Sequence, residues 1–133
     1  MALRWYTTVI DSKDPKRLSA WWAEALDWQM VYESDDECVI IPGWVTPDDM
    51  AKTPWEQNGP GLVFVSVPEP KQTKNRLHLD LAPHTSQDRD GEIARLEQLG
   101  ARRVDVGQGD DVTWTVLADP EGNEFCVLSS RDQ

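Results

Sequence analysis

Two short alternating stretches carry the side chains best suited to chemistry. In Asn75-Arg76-Leu77-His78-Leu79-Asp80-Leu81, a strand would turn Leu77, Leu79 and Leu81 toward a core and Arg76, His78 and Asp80 toward the opposite, polar face. In Asn123-Glu124-Phe125-Cys126-Val127-Leu128, the same period puts Glu124 and Cys126 on one face and Phe125 and Val127 on the other. Imidazole, carboxylate and thiol on the polar faces of two strands could form the floor of a pocket that binds a small molecule or moves a proton. Each also has a plainer reading. His78 could be a hydrogen-bonded structural histidine, Cys126 a small buried hydrophobe, and Asp80 and Arg76 partners for neighbouring charges.

Such strands need a sheet and something packed on it, and the sequence writes that set twice. Residues 4 to 11 are rich in β-formers and end at Asp11-Ser12-Lys13-Asp14-Pro15, where Asp14 suits a helix cap and Pro15 the first helical position. Leu18, Trp21, Trp22, Ala25 and Leu26 then form the apolar stripe of a helix packed by one face. Strands are predicted at Trp28 to Tyr32, Glu37 to Ile41 and Leu62 to Val67. The second half starts with the His78 strand. Its predicted helix begins near Ser86-Gln87-Asp88-Arg89-Asp90, takes its apolar face from Ile93, Leu96 and Leu99, and stops at Gly100. Strands near Arg102 to Val106, Thr113 to Leu117 and Glu124 to Leu128 complete the set, with Asp119-Pro120-Glu121-Gly122 as a turn. Trp5 to Leu77, Leu26 to Leu99 and Val39 to Trp114 are offset by 72, 73 and 75 positions, the mark of an internal repeat. The expected architecture is α+β, a single domain of two βαβββ modules, about 1–68 and 74–133, whose free sheet faces curve into a cup.

A chain of 133 residues suits one compact domain. With 13 Lys and Arg against 24 Asp and Glu, its net charge of -11 disfavours nucleic acid and anionic membrane surfaces as partners. The start of the sequence has no signal-like apolar run and no stretch long enough to cross a bilayer, so a soluble cytoplasmic protein is expected. Cys38 and Cys126 are too few and too far apart for a disulfide framework or zinc knuckle and read as reduced thiols.

Seven tryptophans are a heavy aromatic load for this length. Trp21, Trp22 and Trp114 are expected in the core. Trp44 and Trp55 fall in the Pro- and Gly-rich stretch 43–60, which reads as a long loop. It is either a lid over an apolar ligand or a loop that the indoles merely anchor.

The run Lys74 to Leu81, the helix Glu92-Ile93-Ala94-Arg95-Leu96-Glu97-Gln98-Leu99-Gly100-Ala101 and the segment Leu117 to Leu128 resemble the glyoxalase/bleomycin-resistance/extradiol-dioxygenase superfamily, the vicinal oxygen chelate fold. More narrowly, the chain is similar to the glyoxalase-like proteins common in actinobacteria. Asp14-Pro15 with Leu18, Trp21, Trp22 and Leu26-Asp27-Trp28 resembles the first-helix signature of that group. The resemblance implies paired βαβββ modules, a cup-shaped sheet and commonly a homodimer. It also implies that metal-using members draw ligands from the first strand of each module and from the closing strands, positions that fall here on Thr7, His78 and Cys126. The strand Leu62 to Val67 offers no fourth ligand. Glu124, beside Cys126 on the same face, could substitute. Thr7 is a poor ligand, and a thiol with one imidazole does not suit the Ni, Mn or Fe chemistry of glyoxalases and dioxygenases. No metal and no other cofactor is therefore expected.

Three functions remain in view. The first is a metal-independent protein that holds a small, partly aromatic molecule through Thr7, Trp44, Trp55, His78, Glu124 and Cys126. The second is a lyase, isomerase or dioxygenase-type enzyme using His78, the candidate catalytic residue, with or without a divalent metal. The third is a protein with a vestigial pocket that acts through its dimer surface.

Overall fold

The computed structural model describes residues 3–109 and 111–133. The chain divides into two compact units, Met1–Pro70 and Lys71–Gln133. The first contains β1 (Thr7–Ser12), α1 (Pro15–Leu26), β2 (Trp28–Glu33), β3 (Glu37–Pro42), α2 (Pro47–Lys52), a single 3-10 turn at Trp55–Gln57, and β4 (Gly61–Ser66). The second contains β5 (Asp80–Leu81), α3 (Arg89–Leu99), β6 (Arg102–Arg103), β7 (Thr115–Ala118) and β8 (Glu124–Val127).

Both units follow one topology. In the first, β1 pairs in parallel with β4, which continues antiparallel through β3 to β2. In the second, β5 pairs in parallel with β8, followed by β7 and β6. These two four-stranded mixed sheets, each completed by a helix after its first strand, are the α+β architecture the sequence pattern predicts.

Helix α1 forms for local reasons. The Asp14 carboxylate accepts the Arg17 amide, Pro15 occupies the first turn, and Asp27 closes the C-terminus with φ 56°, its N–H shared between the Ala23 and Glu24 carbonyls. Leu18, Trp21, Trp22 and Ala25 are buried along one face, which lies against β2, β3 and β4. Trp21 and Trp22 meet edge to face at 5.1 Å. The core opposite is Cys38, Ile40, Leu62 and Phe64.

Four expectations need correction. The 43–60 stretch is not an unstructured loop: Thr46 and Asp49 form a reciprocal capping box that starts α2 behind Pro47. Trp114 lies outside β7 and is 40% exposed, so it is no core residue. The predicted strand 75–81 shrinks to Asp80–Leu81, and Leu77, which no strand among the described residues covers, is 87% exposed. The strand foreseen at Arg102 to Val106 keeps only its first two residues, because Asp105 and Gln108 divert the chain into a turn through the Gly107 and Val106 amides.

The Asp-Pro-Glu-Gly-Asn signature is a structural device. Asp119 is 1% exposed, and its Oδ1 accepts the Glu121 and Asn123 amides at 2.9 and 3.0 Å, while Asn123 Nδ2 donates to Oδ2. Gly122 supplies φ +89°, which an L side chain rarely adopts. This turn fixes the β7–β8 register, and the Arg89 guanidinium secures the far end of β8 by donating to the carbonyls of Val127 and Leu128. Replacing Asp119 with Ala strands two backbone amides, so unfolding stability measured by chemical denaturation should fall by about 2 to 4 kcal/mol. A loss under about 0.5 kcal/mol, the range of a neutral surface change, would contradict this role.

Candidate functional site

The second unit brings three chemically capable side chains together on its parallel edge. β5 lies against β8 with Asp80 opposite Cys126, and the ladder is extended by hydrogen bonds from Cys126 N to the Leu79 carbonyl and from Leu128 N to the Leu81 carbonyl. His78 precedes Asp80 by two positions and meets it directly, Nε2 to Oδ1, at 3.1 Å. Donor atoms of His78, Asp80 and Cys126 all lie within 4.8 Å of one another. Cys126 is buried, whereas His78 and Asp80 are about half exposed. The cluster is therefore open on one side and sealed at the thiol.

Electrostatics decide what the thiol can do. Burial pushes the Cys126 thiol up, and the negative charge and hydrogen bond of Asp80 push the same way against a weaker opposing pull from Lys74. Cys126 is held as S–H, a hydrogen-bond donor rather than a nucleophile. Asp80 thus takes donors from two sides. In a neutral imidazole, an Nε2–H donated to Asp80 leaves Nδ1 as the acceptor available to a ligand.

Glu124 has another employment. Lys71 Nζ lies 2.7 Å from its Oε1, and the Asn75 amide donates to the same oxygen at 3.1 Å. Burial raises the Glu124 pKa, but the Lys71 hydrogen bond, the Asn75 amide and the Lys71 charge outweigh it, and the net shift is downward. Glu124 ties down the irregular segment 71–79 that carries His78. Sequence reasoning placed Glu124 on the face of Cys126 and missed this clasp, since nothing in the spacing marks Lys71 as its partner. It read Asp80 as a partner for a neighbouring charged group rather than a participant in chemistry, and the structure gives it His78, two residues earlier, as that partner.

The other expected site residues belong to the first unit. Thr7 spends its hydroxyl on the Gly61 carbonyl at 3.1 Å, within the β1–β4 pair. Trp44 is 73% exposed, and among the described residues its ring has no aromatic or cationic partner. Trp55 joins a cluster with Tyr6 and Arg4: the rings are 6.1 Å apart, and the guanidinium carbon sits 4.4 Å from the Trp55 centroid and 4.9 Å from that of Tyr6. Trp55 thus anchors the 43–60 stretch to the residues before β1.

The metals implied by the family resemblance do not fit this cluster. Mn, Ni and Fe in oxygen chemistry favour carboxylate and imidazole donors, whereas one of the three donors here is a thiol whose proton is held more tightly than usual.

Two measurements check this geometry. In a Cys38→Ser background, Asp80→Asn should speed Cys126 alkylation by iodoacetamide, about tenfold for each unit by which the thiol pKa drops; an unchanged rate would show that Asp80 does not hold the proton. Glu124, lowered from its ordinary 4.5, stabilises the fold fully above that value and loses its contribution as pH falls through the lower folded value. The stability gap between wild type and Glu124→Gln should accordingly be wide at neutral pH and close on acidification, and a gap that does not vary with pH would refute the clasp.

The comparisons with known proteins agree with this architecture. The model of the glyoxalase-like domain matches residues 7–128. A glyoxalase/bleomycin resistance protein/dioxygenase family enzyme from Burkholderia phytofirmans PsJN superposes with a TM-score of 0.69 at 15% identity, covering 97% of this chain and 100% of that one. The fosfomycin resistance protein FosX from Mesorhizobium loti gives 0.64 at 15% identity, covering 96% and 92%. FosX from Listeria monocytogenes, complexed with Mn(II) and sulfate ion, gives 0.69 at 12% identity, covering 98% and 93%. At these identities the likeness is one of fold. No curated protein sequence matches. With nearly its whole length spanned by the family model, the chain belongs to the glyoxalase-like domain family.

Proposed function

We propose that the protein binds a small, partly aromatic molecule, with a polar group of that molecule received at His78, Asp80 and Cys126, and that it does so without a catalytic metal. The observation that carries this reading is the convergence of the three side chains within 4.8 Å around a protonated thiol. In a cluster whose carboxylate takes donors from an imidazole and a thiol, the nitrogen of a neutral His78 ring turned away from Asp80, Nδ1, offers an acceptor to a ligand. A hydroxyl, amide or acidic N–H on the ligand fits that acceptor.

The 3.1 Å contact between His78 and Asp80 also favours a second reading, in which a ligand with an acidic proton becomes a substrate. Asp80 fixes the tautomer and steadies the imidazolium that would form when Nδ1 takes a proton. This is general-base chemistry of the lyase or isomerase kind.

Native mass spectrometry and thermal shift against a panel of aromatic metabolites and antibiotics test the binding reading. A ligand that raises the melting temperature of wild type, with the shift largely lost in His78→Ala, is the expected result. Elemental analysis of protein purified without chelator should find well under one equivalent of metal per chain. About one equivalent, lost in His78→Ala, would overturn the metal-free reading.

A further inference from the structure

The segment that carries His78 also carries a cation with no acid paired to it. On β8, Glu124 and Cys126 stand two positions apart on one face, about 7 Å along the strand. The chain leading into β5 meets both: the Asn75 amide donates to the Glu124 carboxylate at 3.1 Å, and Asp80 lies opposite Cys126. From 75 to 80 an extended chain could span about 17 Å. Residues 75–80 therefore bow outward between these two points, and Leu77, near the crest, is 87% exposed. Lys74 stands immediately before the first point. It is exposed, and among the described residues it belongs to no ion pair, in a chain with 24 acidic residues against 13 basic ones. Its charge is nevertheless felt within the cluster, where it is the one pull that draws the Cys126 thiol down against burial and Asp80.

We propose that Lys74 holds the negative charge of a ligand whose acidic O–H, that of a phenol or enol, has given its proton to His78. The O–H bond breaks heterolytically: the proton goes to the Nδ1 lone pair, the electron pair stays on the ligand oxygen, and no oxidant or reductant is needed. The three clustered side chains alone would receive such an oxyanion badly. Asp80 is negative and lies 3.1 Å from the imidazole, and the thiol stays protonated. A positive charge on the ligand's far side turns that arrangement into an alternation of carboxylate, imidazolium, oxyanion and ammonium, in which each charge has an opposite neighbour. The flexible four-carbon stem of an exposed lysine lets its ammonium swing to the open side of the cluster. Since the chain as a whole repels anions, acceptance of one here is a local property of this segment. The inference rests on the reading of His78 as the receiver of the ligand's polar group, and it adds the acidity of that group and the residue that answers its charge.

Titration of the intact protein with 4-nitrophenol at fixed neutral pH tests it, because the absorption spectrum separates the yellow anion from the neutral phenol. Bound 4-nitrophenol should show an anion-to-phenol ratio about tenfold above that of the free compound, the effect of an opposite charge a few ångströms away. Lys74→Gln should lose that excess, and Lys74→Arg, which restores the charge, should recover most of it. Arg76→Gln removes the same charge from the same segment and should leave the excess in place. A bound ratio no higher than the free one, an excess that survives Lys74→Gln, or one erased equally by Arg76→Gln overturns the proposal. His78→Ala separates the two readings. Binding that His78→Ala weakens, but that shows no excess of anion in wild type, overturns the role of Lys74 and leaves the binding reading standing. Binding that His78→Ala does not weaken, or no saturable binding at all, overturns the His78 site and the role of Lys74 with it.

Discussion

The register of β5 on β8 is the constraint on which the chemistry of the second unit depends. β5 is only two residues long, yet it must hold Asp80 opposite Cys126 and not one position to either side. A slip of one residue would turn the thiol to the other face of the sheet and dissolve the cluster. Two residues of ladder cannot enforce that alone. The enforcement comes from the Asp119 turn, which sets β8 against β7, and from Arg89, which holds the carbonyls where β8 ends. The Glu124 clasp acts from the third side by fixing the segment that leads into β5. Three polar networks, none of them in the cluster, thus determine where three reactive groups meet.

Elements governed by local rules were legible in the sequence, and those governed by distant partners were not. The helix from Pro15 to Leu26 carries its cap, its first-turn proline and its apolar stripe within twelve residues, so its bounds could be read directly. The duplicated order of strands and helices was visible for the same reason. Thr46-Pro47-Asp48-Asp49 also held a local signal, the capping box of α2, but the surrounding prolines and glycines masked it. By contrast, the alternation through Leu77 promised a strand with a buried face. Alternation presumes a neighbouring strand on which to pair, and residues 75–78 have none among the described residues. Trp114 misled similarly, since an indole beside a strand is buried only if another layer covers it.

The candidate site divides along the same line. His78 and Cys126 were found because strand period and family resemblance both point to them. The roles of Asp80 and Glu124 depend on which cation or donor reaches each one. Both are carboxylates on the polar face of a strand, yet Glu124 is committed to a lysine and a backbone amide, and Asp80 to an imidazole and a thiol. Fold proximity across 49 positions separates those fates, and no sequence period encodes it.

Protonation states then limit the chemistry further than composition does. A thiol raised by burial and by the adjacent carboxylate keeps its proton, which removes nucleophilic sulfur and thiolate ligation from the resting cluster together. What remains is an anionic Asp80 flanked by two donors, with one imidazole nitrogen facing away from it. If a proton is moved here, the neutral imidazole is the group suited to take it, because the thiol keeps its own proton and imidazole is intrinsically a stronger base than a carboxylate. Asp80 would then stabilise the resulting cation more strongly than the neutral ring, so under the proposed reading, receiving a ligand with an acidic proton and abstracting that proton draw on one electrostatic arrangement. The acidity of the ligand, rather than any further residue in the cluster, would separate the two.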